Sequence, residues 1–196
     1  MPILDIYNSE ITHHPNFPND LDVVNIEVGA SKNCFEKKYF PFCYLTDLLS
    51  IDDLPHFATI QDYDYDNCHF LDYVGNFFEL NIERVFNTAI FCNPYGFGFQ
   101  GKEHSKIFLN KAGEILSEEG ELLIIGNATN GWSKYESAQK WLTKLTEENE
   151  LNYSMQISDL TTLTDEHEYR SNHTFNRKTI SVPAMPNQMF RIKKIA

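Results

Sequence analysis

A chain of 196 residues, 42% of them hydrophobic, has enough apolar material for one domain with a sizeable core and is too apolar to stay disordered. Sixteen Lys+Arg against 28 Asp+Glu give a formal net charge of −12. That field repels a phosphate backbone and disfavours free nucleic acid as a partner. It suits a small-molecule substrate or a basic protein partner. No apolar run approaches the roughly 20 residues that span a bilayer, and the N-terminus lacks the basic and apolar segments of a signal peptide. The expectation is a cytoplasmic chain without a membrane. Cys34, Cys43, Cys68 and Cys92 contain no C-x-x-C pair, which points to reduced thiols rather than to disulfides or zinc.

Residues 1–20 hold His13-His14-Pro15 and Phe17-Pro18. The prolines break any helix and predict an N-terminal arm on a single domain spanning 1–196. The histidine pair lacks a third ligand at metal spacing and reads as a surface turn. Next, Val23, Val24 and Ile26 form a short apolar run that ends in Glu27, followed by the small residues Gly29, Ala30 and Ser31. This pattern predicts a buried strand at 23–28 that enters a tight loop, where a ligand can approach the backbone closely.

A short helix at 34–40 ends at Pro41, and Phe42–Leu45 predicts a second strand that closes in Thr46-Asp47. Asp47 follows Glu27 by the distance at which the second acid of a strand–helix–strand unit reaches a ribose. It would serve equally as an N-cap for Leu48-Leu49. The acidic stretch through Asp52, Asp53, Asp62, Asp64 and Asp66 imitates a calcium loop. The glycine and glutamate such a loop needs are replaced by Asn67 and Tyr73, so a solvated loop or a surface for a basic partner fits better.

His69–Leu71 predicts a third strand ending at Asp72, and 76–86 a helical turn with Phe77, Leu80 and Arg84 on one side. Thr88–Cys92 is apolar throughout, like a central parallel strand. It ends in Asn93-Pro94-Tyr95, which is also ordinary turn punctuation. Spacing of 3–4 residues predicts a helix over 102–119 with Gly120 as its C′ residue. A strand follows at 121–126. A capping box at Ser133 and Glu136 opens a helix to about Asn149, with Ala138, Trp141, Leu142 and Leu145 inward. Weaker strands fall at 153–157, 179–182 and 189–195.

Strands alternating with helices predict an α/β fold: a Rossmann-like three-layer sandwich with a mostly parallel sheet and an antiparallel C-terminal hairpin. Ligands of such sheets bind outside the carboxyl ends of the strands. Glu27, Gly29, Ser31, Asp47, Asp72 and Asn93-Pro94-Tyr95 are all expected there.

Over about residues 20–160 this order resembles the class I S-adenosylmethionine-dependent methyltransferases. Their acid-x-Gly-x-Gly-x-Gly motif would be Glu27-Val28-Gly29-Ala30-Ser31-Lys32-Asn33, with Ser31 and Asn33 in place of two glycines. The resemblance implies S-adenosyl-L-methionine as cofactor, with Glu27, Gly29, Ser31 and Asn33 around it. It also implies that Asp47 binds the ribose and that Asp72 contacts the adenine amine. Asn93-Pro94-Tyr95 is similar to the Asn/Asp-Pro-Pro-Tyr/Phe motif of amino-group methyltransferases, one proline short. The implied activity is methylation of an amine on a small molecule or protein. The incomplete motifs and the acidic loop also suit an inactive methyltransferase-like binding protein, such as an immunity or antitoxin protein that neutralises a basic toxin.

Overall fold

The computed structural model describes residues 25–29, 43–50, 71–92, 99–126, 135–162, 173–175, 178–180 and 188–196. The expected N-terminal arm, the helix at 34–40, the acidic loop, Ser133, and the site residues Ser31, Asn33, Asn93, Pro94 and Tyr95 lie outside them.

Seven strands form one sheet in the order β3-β2-β1-β4-β5-β9-β6. The strands are β1 (Asn25–Val28), β2 (Cys43–Asp47), β3 (Tyr73–Val74), β4 (Phe86–Cys92), β5 (Leu116–Gly126), β6 (Met155–Thr162) and β9 (Gln188–Lys194). Pairings from β3 across to β5 are parallel, while β9 runs antiparallel between β5 and β6. The expected antiparallel C-terminal element is therefore β9. A separate two-stranded ribbon pairs β7 (His173–Phe175) with β8 (Lys178–Ile180).

Helices α1 (Lys102–Ile115) and α2 (Tyr135–Glu147) pack on one face. Register places Tyr44, Ile26, Ala89, Leu122, Ile192 and Ile157 in one apolar row across six strands of that face. Against the sheet, α1 buries Phe108, Leu109, Ala112 and Ile115 and α2 buries Ala138, Leu142 and Leu145, the faces that their spacing predicts. Trp141 lies half-buried against this core, with Lys140 over its ring at 4.6 Å. Phe108 meets Phe91 and Phe99 edge-on, at centroid distances of 5.0 and 5.7 Å. The opposite face carries Leu45, Ile90, Leu123 and Ile125, each fully buried. Both faces are therefore covered, which is why the parallel strands read as continuous apolar runs.

Three expectations need correction. The helix expected to reach 119 stops at Ile115, and Leu116 already pairs with Phe86. The next pairing is Thr88 with Glu121, so residues 117–120 bulge out of β5. Glu119 takes φ 64 there, and Gly120 sits where a Cβ would come 2.9 Å from the Ser117 carbonyl oxygen. Gly120 is thus set by close packing at a bulge and is not a C′ residue. The end of α1 is capped from a distance instead: Lys194 Nζ donates to the carbonyls of Gly113 and Leu116 at 3.0 and 2.8 Å.

The third strand is also displaced, occupying 73–74 rather than ending at Asp72. Finally, residues 76–80 make one turn closed on the Asn76 carbonyl, with Phe77 buried. Arg84 lies beyond it, 4.8 Å from the centre of the Tyr44 ring.

Candidate functional site

β1 lies inside the sheet, the strands step outward from it through β2 to β3, and β4 returns to the other side of β1. Strand order therefore reverses between β1 and β4. In open α/β sheets the crevice at such a reversal, outside the carboxyl ends, is where ligands bind.

Three of the expected residues meet at this edge. Glu27 is 1% exposed, in register with Leu45 on one side and Ile90 on the other. Alternation along β1 turns its carboxyl away from the face that holds Ile26 and Val28. One residue past the strand, Gly29 has φ 76, a left-handed conformation that favours glycine, and the position of its missing Cβ is open space. Its N–H donates to the Thr46 carbonyl at 2.9 Å, which extends the β1–β2 pairing by one step and sets Gly29 beside Asp47. The Asp47 Oδ1 accepts the Leu48 N–H at 2.7 Å, which fixes the carboxylate at the strand end. Two carboxylates and a backbone free of side chain thus share one edge. Such a set suits a ligand with hydroxyl or amine donors and a positive charge.

Asp72 is placed differently. Its N–H donates to the Leu45 carbonyl at 2.9 Å, and its Oδ2 accepts the Leu45 N–H at 2.8 Å. Main chain and side chain together extend β3's pairing with β2 backward. Asp72 therefore lies level with Leu45, and so with Glu27, on the far side of β2. Glu27, Gly29 and Asp47 thus lie on the adjacent strands β1 and β2, with Asp72 at the level of Glu27 one strand further out.

One polar group had not stood out in the sequence. Thr46 is 1% exposed, and its Oγ1 is buried with no hydrogen-bond partner among the described residues. Its only sequence signal is a hydroxyl residue between Leu45 and Asp47 in a run otherwise apolar. No group of three or more His, Cys, Asp or Glu among the described residues could hold a metal ion. No helix among them is long and apolar enough to cross a membrane.

No protein-family model matches the sequence, nor does any curated protein sequence. Solved structures do match. The 16S rRNA (adenine(1408)-N(1))-methyltransferase from Catenulisporales acidiphilia superposes with a TM-score of 0.51 at 12% identity, over 89% of this chain and 88% of that one. The N-methyltransferase NodS from Bradyrhizobium japonicum WM9 gives 0.48 at 13% identity, over 89% and 87%. A putative hemolysin from Streptococcus thermophilus also gives 0.48 at 13%, over 89% and 60%. At these identities the likeness is one of fold, and the fold is that of the class I methyltransferases.

Proposed function

We propose that the protein is an S-adenosylmethionine-dependent methyltransferase that acts on an amino group of a small molecule or protein. The observation that carries this reading is the grouping of Glu27, Gly29 and Asp47 at the carboxyl edge beside the β1–β4 reversal. Gly29 supports it further, because its backbone is left-handed and no described residue occupies the space beside it.

Bound there, S-adenosyl-L-methionine supplies an electrophilic methyl group on a sulfonium. Asp47 is the residue proposed to accept hydrogen bonds from its ribose, and Glu27 contributes negative charge beside the turn. Gly29, with Ser31 and Asn33 after it in the sequence, is proposed to let the main chain approach the cofactor closely. The Thr46 hydroxyl offers a further partner, since a buried polar atom without one calls for a ligand or water. Asp72 is the residue proposed to contact the adenine amine, and its Oδ2 also accepts the Leu45 N–H and so holds the β2 edge on which Asp47 sits. Asn93 is proposed to orient the acceptor amine, Pro94 to stiffen the turn, and Tyr95 to shield the amine from water. Positioning and charge placement suffice for this chemistry, and no covalent enzyme intermediate is needed.

Calorimetric titration with S-adenosylmethionine and S-adenosylhomocysteine tests the reading. Saturable heat is expected from the wild-type protein. Asp47→Asn keeps an acceptor for the Leu48 N–H and removes the charge, so affinity is expected to fall about tenfold, or about 1.4 kcal/mol. The unfolding midpoint should stay unchanged. No heat at millimolar cofactor overturns the enzyme and leaves a binding protein on a methyltransferase scaffold.

A further inference from the structure

The helix side of β6 loses its cover toward the carboxyl edge. Met155, Ile157 and Leu160 belong to that side, in register with Lys194, Ile192 and Phe190 of β9. Met155 is 5% exposed, Ile157 is half-buried against the core, and Leu160 is 45% exposed. The apolar floor of β6 therefore runs on past the cover of its first residues and ends in the open.

Leu160 is more than a stray surface leucine. Phe190, fully buried, lies beside it across the β6–β9 pairing. The Tyr135 ring stands edge-on to Phe190, with centroids 6.0 Å apart. Tyr135 opens α2 and is only partly buried. Leu160 and Tyr135 are thus the two accessible members of an apolar ledge built on Phe190.

The ledge carries no charge of its own. Around it, β4, β5 and β6 end at Cys92, Gly126 and Thr162, and β9 starts at Gln188. The last three of these lie in one register row. Asp159, next to Leu160, belongs to the other face, across from Arg191, and its Oδ2 accepts the Thr161 hydroxyl at 2.9 Å. In the first turn of α2 the one charged residue is Glu136.

The ledge also shares the edge of the sheet with the proposed acceptor residue Asn93, which follows the end of β4 in the sequence. Strand order puts β9 two strands from β4 and β6 three, or about 10 and 14 Å at ordinary strand spacing. Given the methyltransferase reading, we propose that the ledge binds an apolar group of the acceptor, about 10–14 Å from the amine that is methylated. Contiguity with the acceptor end of the sheet selects this occupant. An apolar group covers the exposed faces of Leu160 and Tyr135, whereas a charged group at the same spacing would lose water against them without gaining a partner. An extended peptide spans the distance in three or four residues, and an alkyl amine of similar length spans it as well.

Calorimetry in saturating S-adenosylhomocysteine tests this with two pairs of acceptors. One pair is the blocked peptides Lys-Gly-Gly-Leu and Lys-Gly-Gly-Ser; the other is octylamine and ethanolamine. At least one apolar member is expected to bind about tenfold tighter than its polar counterpart. The pair that discriminates more strongly tells whether the amine belongs to a protein or to an alkyl chain. Leu160→Ser should erase the difference and Leu160→Met should retain it. In both variants the affinity for S-adenosylhomocysteine and the unfolding midpoint should stay close to wild type. Equal affinity within both pairs, a difference that survives Leu160→Ser, or no acceptor binding beside bound cofactor overturns the proposal and leaves the methyltransferase reading standing. Absence of cofactor binding overturns that reading and the proposal together.

Discussion

On one side of the β1–β4 reversal, β4, β5, β6 and β9 run for 7, 11, 8 and 7 residues; on the other, β1, β2 and β3 run for 4, 5 and 2. The long wing is gripped by helices. Phe91, Phe108, Phe99 and Phe190 interlock in it, and Lys194 ties the end of α1 to β9. The short wing is finished by polar groups instead. Its outermost strand has two residues, and a side-chain carboxylate, Asp72, supplies the partner that another strand residue would have given to Leu45. Strands that stop early leave their carboxyl ends and polar side chains available. The long wing therefore carries stability, and the short wing carries the candidate cofactor residues Glu27, Gly29 and Asp47.

The sharpest way to break this division is Phe108→Ala. The residue is 1% exposed and meets two other phenylalanines edge-on. Its removal should cost about 3–5 kcal/mol in urea unfolding, from lost burial and the cavity left behind. Protein still folded should bind S-adenosylmethionine with little change in affinity. A cost under about 1 kcal/mol would mean that the aromatic cluster does not anchor the long wing.

In the short wing the matching substitution is Gly29→Ala. No described residue lies within 4 Å of the added Cβ, so the cost comes from the left-handed backbone at φ 76. Stability should fall by about 1 kcal/mol, severalfold less than for Phe108→Ala. Cofactor affinity should fall more steeply than stability, because the methyl group enters the space proposed for the ligand. Equal losses in both wings would remove the division of labour.

Residue pattern made much of the long wing legible. Ala89–Cys92 is apolar without a break, and the buried side of α1 repeats every 3–4 residues up to Ile115. What failed there was the stop signal. Gly120 has the identity expected of a C′ residue, but its role comes from strand packing, where a Cβ would strike the Ser117 carbonyl. In the short wing the strand ends at Glu27 and Asp47 were legible as apolar runs closing in an acid. The position of β3 was not. It depends on the Asp72–Leu45 pairing, which joins residues 27 apart in sequence and leaves no trace in local periodicity. Lys111 was hidden for the same reason, since its partner is a carbonyl 31 residues away.

The smallest effect concerns the ion pairs that fasten the start of α1 to the turn after α2. Lys102 bonds Glu148 and Glu150, and Lys106 bonds Glu150. Hydrogen bonds from Lys102 and then Lys106 hold the Glu150 carboxyl down at about 2, below its ordinary 4.5. The same contacts, Glu148 first, raise the Lys102 amine above its ordinary 10.5. A depressed acid contributes stability above its unfolded value and loses it as pH falls toward its folded one. A raised amine contributes fully below 10.5 and loses that contribution only at higher pH. The network is therefore constant across neutral pH and weakens between 4.5 and about 2. Lys102→Met should flatten the acid limb of the stability–pH curve. Its effect at pH 7 should be small, because the groups lie at the surface within reach of solvent and because the substitution also removes a cation from the unfavourable N-terminal end of α1. Raising salt to about 1 M should shrink the difference between wild type and variant at every pH. An acid limb that keeps its slope in the variant would show that this network does not fasten the helix and that α1 is held by its buried face alone.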